Sequence, residues 1–101
     1  MKSLVVGMGI GQLYFKVLNE MGIEVITVDP VKPANYKNIE EVPIDMYDTV
    51  HICTPNYTHE EIARFIAPWC HIMFIEKPGL SSAKAWEELV YSFPECRISM
   101  V

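Results

Sequence analysis

Leu4-Val5-Val6-Gly7-Met8-Gly9-Ile10-Gly11-Gln12 carries a short apolar run straight into alternating glycines. The run reads as a buried strand. Beyond it Ile10, Leu13, Val17, Leu18 and Met21 recur at helical spacing, and Gly22 sits where that helix would stop. A strand that turns through glycines into a helix lets the backbone bend sharply and approach a pyrophosphate at the helix amino terminus. The spacing departs from G-x-G-x-x-G, because position 12 holds Gln12 and the third glycine comes one place early, at Gly11. Either the loop is one residue shorter, or the glycine that normally permits close helix–strand packing is replaced.

Working outward, Val25-Ile26-Thr27-Val28, Val50-His51-Ile52-Cys53, Ile72-Met73-Phe74-Ile75 and Arg97-Ile98-Ser99-Met100-Val101 are further short, apolar or β-branched runs, read as strands. Thr58 with Glu61 suggests a capping box for a helix whose apolar face is Ile62, Phe65 and Ile66, ending at Pro68. Ser81 or Ser82 caps a third helix, with Trp86, Leu89, Val90 and Phe93 on one face before Pro94. Pro30 to Asp48, with prolines at 30, 33 and 43, reads as an extended loop holding at most a short strand or turn. Parallel strands need crossover connections, so this alternation predicts an α/β fold: one Rossmann-type, doubly wound parallel sheet of about five strands with three main helices, trimmed after the second strand.

Bulk properties narrow the classes. At 101 residues, 50% of them apolar and 21% charged, the chain suits one globular domain spanning 1–101. The net charge is −5 and Lys and Arg do not cluster, which argues against a nucleic-acid partner. No apolar run approaches membrane-spanning length, and the first breaks too early for a signal peptide, so the expected location is cytoplasmic and no membrane partner is expected. Cys53, Cys70 and Cys96 are odd in number and unlike any metal-ligand spacing; they are expected to be buried thiols, with neither a disulfide nor a metal site.

Asp29 closes the second strand 22 residues after Gly7, where a carboxylate can accept hydrogen bonds from a ribose diol. A 2′-phosphate would be repelled there unless a cation such as Lys32 compensates, so NAD is expected over NADP. Asp29 with Pro30 can equally make a strand-end turn. A glycine turn followed by an acid also fits the S-adenosylmethionine site of Rossmann-like methyltransferases, although Val5 stands where those usually carry an acid.

Two later motifs separate these readings. Thr54-Pro55-Asn56-Tyr57-Thr58-His59 follows the third strand and Glu76-Lys77-Pro78 the fourth, at the edge where open α/β sheets bind ligands. With the glycine turn, T-P-N-x-x-H and E-K-P resemble the nucleotide-binding domain of the glucose-fructose oxidoreductase, inositol dehydrogenase and rhizopine-catabolism (Gfo/Idh/MocA) family, over essentially the whole chain. The resemblance implies NAD(H) bound by Gly7, Gly9, Ile10, Gly11, Asp29 and Pro30, with Thr54, Pro55, Asn56, His59, Glu76 and Lys77 toward its nicotinamide end. It gives Lys77 the catalytic task of orienting or polarising a substrate oxygen, with a Lys77–Pro78 bond often cis in the family. The implied chemistry is hydride transfer at a CH–OH carbon of a sugar or cyclitol. Family enzymes add a sheet-rich substrate domain after the position of Val101, so the expectation is an NAD-binding domain incomplete for catalysis alone, served by a homodimer or a complementing substrate-domain chain. His51 and His71 are expected as packed or strand-end residues. The alternative is a stand-alone nucleotide-binding or regulatory module without turnover.

Overall fold

The structure, a computed structural model, describes residues 1–77 and 79–101, and for Asn56 the backbone alone. The Lys77–Pro78 bond therefore lies outside the described residues. Strands β1 (Lys2–Val6), β2 (Glu24–Val28), β3 (Tyr47–Ile52), β4 (Cys70–Ile75) and β5 (Arg97–Met100) alternate with helices α1 (Gly11–Glu20), α2 (His59–Ile66) and α3 (Ala83–Ser92). All strand pairs are parallel, in the order β2-β1-β3-β4-β5. The order reverses direction between β1 and β3, which is the switch point where loops splay apart and leave a crevice at the carboxyl ends of the strands. This is the trimmed doubly wound fold that the strand–helix alternation predicts.

The sheet's two faces are unequal. Leu4, Val6, Val50, Ile52, Met73 and Ile75 point to one face and pack with Ala63 and Ile66 of α2 and Ala85 and Leu89 of α3 in the main core. Ser82 caps α3 as expected, its hydroxyl accepting from the Ala85 N–H at 3.1 Å. The opposite face carries α1 and a more polar layer. Ser3 and Thr49 hydroxyls lie 2.6 Å apart, and His51 stacks between Tyr14 and Phe74 with ring centroids 5.1 and 5.2 Å away. Burial lowers the pKa of His51, outweighing the attraction of Glu76 and disfavouring the charged ring within the stack.

Helix α1 forms where the apolar spacing predicts it, but Leu13, Val17 and Met21 face outward, 67%, 55% and 66% exposed, and Gly11 is the one buried residue of α1 among those described. The helix rests on the sheet through Gly11 and Tyr14, and among the described residues no second helix flanks it on that face. One expectation is corrected: Thr58 and Glu61 make no capping box. The Thr58 hydroxyl turns back into the preceding loop, 2.7 Å from both Thr54 Oγ1 and the Pro55 carbonyl, and leaves the amino end of α2 without a side-chain cap. Residues 30–46 form the expected loop, with one short 3-10 turn at Ile39–Glu41 and a single parallel bridge from Val28 to Tyr36. Asn35 fixes it, its side-chain oxygen accepting from the Thr27 N–H at 2.9 Å.

Leu89→Ala empties a fully buried position in the main core and should cost about 2–5 kcal/mol in urea unfolding, whereas Leu13→Ala should cost under about 0.5 kcal/mol. Equal losses would contradict the exposed setting of the α1 stripe.

Candidate cofactor site

The three glycines of the first turn do three different things. Gly7 holds φ at +94°, and a Cβ on it would lie 2.8 Å from the carbonyl carbon of Cys53, so the turn passes hard against the end of β3. Its N–H donates to Val28 O and the Cys53 N–H donates to Val6 O, each at 2.7 Å, stitching β1 to both neighbours. A Cβ on Gly11 would lie 2.8 Å from Val5 Cγ1, so Gly11 is the glycine that lets α1 pack closely on β1. This answers the spacing question: the loop is one residue shorter and the packing glycine is retained. A Cβ on Gly9, by contrast, would meet nothing within 4 Å. No internal contact requires glycine there, and the open side of this residue faces a cleft.

That cleft, about 690 Å³, lies over the switch point and is lined by Gly7, Gly9, Asp29, Pro30, Thr54 and Pro55 from the expected set. Lys32, Lys37, Asn38 and Tyr57 also line it. The reading of the sequence missed Lys37, Asn38 and Tyr57. The first two sit in an aperiodic loop whose return path no local pattern fixes, and Tyr57 occupies a variable position of T-P-N-x-x-H; its 87% exposure is the signal that distinguishes it.

Asp29 is buried at the cleft wall and fully engaged in the turn. Its Oδ2 accepts from the Met8 N–H at 2.7 Å, and its Oδ1 accepts from Val31 at 2.9 Å and Lys32 at 2.7 Å. Burial alone would raise this carboxyl, but the three backbone donors, with the charge of Lys32, outweigh it and hold the pKa below the ordinary value. Both readings of Asp29 thus coexist: it makes the strand-end turn, and of roughly four acceptor positions on a carboxylate one remains for a ligand hydroxyl.

The remaining expected residues do not line the cleft, among those whose side chains are described. His59 does not line the cavity. It is completely buried, with Nδ1 2.9 Å from Gly79 O and Nε2 2.6 Å from Thr54 O, so it ties the T-P-N loop to the turn after β4. Glu76 is held from α1 by the Tyr14 hydroxyl, a contact that, with burial, pushes the phenol up to about 12. Ile10 caps α1 and is 54% exposed, and Lys77 is exposed in the turn that follows β4. The side chain of Asn56 lies outside the described residues. Among the described residues, no group of three or more His, Cys, Asp or Glu side chains could hold a metal ion, and no helix is long and apolar enough to cross a membrane.

A tight-turn glycine, an open glycine, a packing glycine and a buried acid at the next strand end, around a crevice at the switch point, define the dinucleotide-binding class of Rossmann domain, and these residues fit such a ligand. The chain belongs to the Gfo/Idh/MocA group, the oxidoreductase family with an NAD-binding Rossmann fold, whose family model matches residues 24–96. The match begins at β2 and does not include the glycine turn. No curated protein matches the chain. Among solved structures, it superposes on an oxidoreductase from Agrobacterium radiobacter in complex with NAD+, L-tartaric acid and magnesium, with TM-score 0.82 and 13% identity over 99% of this chain and 34% of that one. The WlbA dehydrogenase from Bordetella pertussis, in complex with NADH and UDP-GlcNAcA, gives TM-score 0.78 and 17% identity over 99% and 36%. A conserved hypothetical protein from Pyrococcus furiosus gives TM-score 0.73 and 21% identity over 97% and 92%. The chain thus spans about a third of the length of the two enzymes and nearly all of the third protein.

Asp29→Asn removes the charge from three hydrogen bonds and should destabilise the fold by about 1.5–3 kcal/mol at pH 7. Because the folded pKa is depressed, this contribution is present above the unfolded carboxyl value near 3.8 and is lost as pH falls through the folded value. Urea unfolding of both forms from pH 7 down to pH 3 should show the gap closing with acid; a gap independent of pH would mean that the charge is not what holds the turn.

Proposed function

We propose that this domain binds NAD(H) in preference to NADP(H) and serves an oxidoreductase acting on a CH–OH carbon of a sugar- or cyclitol-like substrate. The observation that carries the reading is Gly9, the one glycine of the turn with open space on its side-chain side, placed at the cleft and at the amino end of α1. Helix amino-terminal N–H groups and the partial positive charge there suit a pyrophosphate, and a missing side chain lets it come close. Asp29, kept ionised by its backbone donors, offers its remaining acceptor position to a hydroxyl of the adenosine ribose and repels a 2′-phosphate. Pro30 forms part of the wall around the adenosine half.

The nicotinamide end then lies toward Thr54, Asn56 and the Glu76–Lys77 turn. When bound, the nicotinamide supplies hydride acceptance and donation. This chain's own residues bind and orient. His59 acts from behind the wall, holding the Thr54 carbonyl and the Gly79 carbonyl in fixed relation so that the two loops present their polar groups together. Lys77, exposed at the carboxyl end of β4, is the group suited to hold a substrate oxygen by its ammonium. The complexes of the longer WlbA enzyme with NADH and a UDP-sugar acid support a sugar-type substrate. Turnover would draw on a further substrate-binding element, supplied by a second copy or by another domain.

Calorimetric titration with NADH, NADPH and S-adenosylmethionine tests this. NADH should bind most tightly. Gly9→Ala should weaken it by about tenfold, ~1.4 kcal/mol, while leaving the unfolding midpoint unchanged. Gly7→Ala, which drives a Cβ into the Cys53 carbonyl at positive φ, should instead lose stability before binding can be read. Binding of S-adenosylmethionine without NADH, or a Gly9→Ala variant that binds NADH as well as the parent, would overturn the assignment.

A further inference from the structure

At the opposite edge of the sheet, Cys70 begins β4 and Cys96 immediately precedes β5. The two strands pair with Ile72 beside Arg97, which sets Cys96 level with the first residues of β4. Sequence separation hides this proximity, and both residues are the buried free thiols that the sequence predicts. Both residues are buried in the main core, and both line a cavity of about 290 Å³ together with His71, Phe93 and Glu95. Cys70 Sγ also lies 3.1 Å from the Ile72 carbonyl, which holds its side chain in place at the foot of the strand.

We propose that Cys70 and Cys96 form a reversible dithiol–disulfide site, oxidised by a small peroxide that enters this cavity. The first step makes a sulfur–oxygen bond: the Cys96 thiolate attacks one peroxide oxygen, the O–O bond breaks, and the departing hydroxide takes up a proton as water. In the second, the Cys70 sulfur attacks the Cys96 sulfenic acid, the S–O bond breaks, and the Cys70 proton leaves with the hydroxyl as a second water. Two thiols are oxidised by two electrons and one peroxide is reduced to two waters.

The order of attack follows from the contact between the two groups. The neighbouring Cys70 thiol holds the Cys96 thiol below its ordinary pKa against the opposing effect of burial. The neighbouring Cys96, then burial, drives Cys70 far above its ordinary value, so Cys96 is the nucleophile and Cys70 the resolving thiol. Cys53 does not compete: it follows β3 at the other edge of the sheet, beside the cofactor cleft, and burial pushes its thiol up to about 12. The bond would cross-link the starts of β4 and β5 around α3, closing a long loop in the unfolded chain.

The test is thiol mapping of the protein treated with hydrogen peroxide, then blocked with N-ethylmaleimide in denaturant and digested. A linked Cys70–Cys96 peptide two hydrogens lighter than its parts is expected, reversed by dithiothreitol, with Cys53 still alkylated. The oxidised protein should keep its far-ultraviolet circular dichroism and gain at least about 5 °C in Tm. Cys70→Ser should leave Cys96 as a sulfenic acid that dimedone captures. Free, alkylated Cys70 and Cys96 after peroxide has oxidised Cys53, a link that includes Cys53, or a link formed only with loss of the circular dichroism signal would overturn the proposal.

Discussion

The close passage of Gly7 beneath the end of β3 is the constraint on which the rest of the structure depends. A turn that brings backbone to within van der Waals limits of the Cys53 carbonyl can be made only where no Cβ intervenes and where φ is positive. That contact, with the hydrogen bonds from Gly7 to Val28 and from Cys53 to Val6, fixes the ends of β1, β2 and β3 relative to one another. Asp29 adds the fourth tie by reaching from β2 to the Met8 N–H. Four short hydrogen-bonded or packed contacts therefore define the crevice at the switch point before any ligand is considered. The cleft is preorganised because the turn that forms it cannot be made in another way.

Around this centre the two layers divide the work. Stability resides in the face carrying α2 and α3, where six strand side chains and the fully buried Leu89 make a continuous apolar core. The α1 face is thinner, built on the stack of Tyr14, His51 and Phe74 and on the close seat of Gly11. It holds the helix whose amino end meets the cleft, and Tyr14 connects that helix to Glu76 in the turn after β4. The glycine turn and the E-K-P turn are thus linked through one phenol.

Polar residues that resemble ligand contacts in the sequence turn out to belong to two ranks. Thr54, Pro55 and Asp29 stand at the cleft surface, whereas His59 spends both ring nitrogens on backbone carbonyls and leaves nothing for a cofactor. A motif position can be required because it shapes the loop that bears the contacts. The same distinction separates the three glycines, of which Gly9 alone is free of an internal reason to be glycine.

The sequence by itself determined the elements that local chemistry controls. Short β-branched runs gave the strands, Ser82 gave the start of α3, and the glycine turn, T-P-N and E-K-P gave the family and the ligand-binding edge of the sheet. Periodicity gave the helix α1 but not its burial, because apolar spacing says which side chains share a stripe and not whether another layer covers it; Leu13, Val17 and Met21 keep the helical period and face outward. The Thr58 cap failed for a related reason, since the hydroxyl found nearer acceptors in its own loop. Only the tertiary structure decided that Gly11 is the packing glycine, that Lys37 and Tyr57 reach the cleft, and that Cys70 and Cys96 meet. Each of these rests on strand order and register, which bring together residues far apart in sequence, and no local spacing encodes a distance across a sheet.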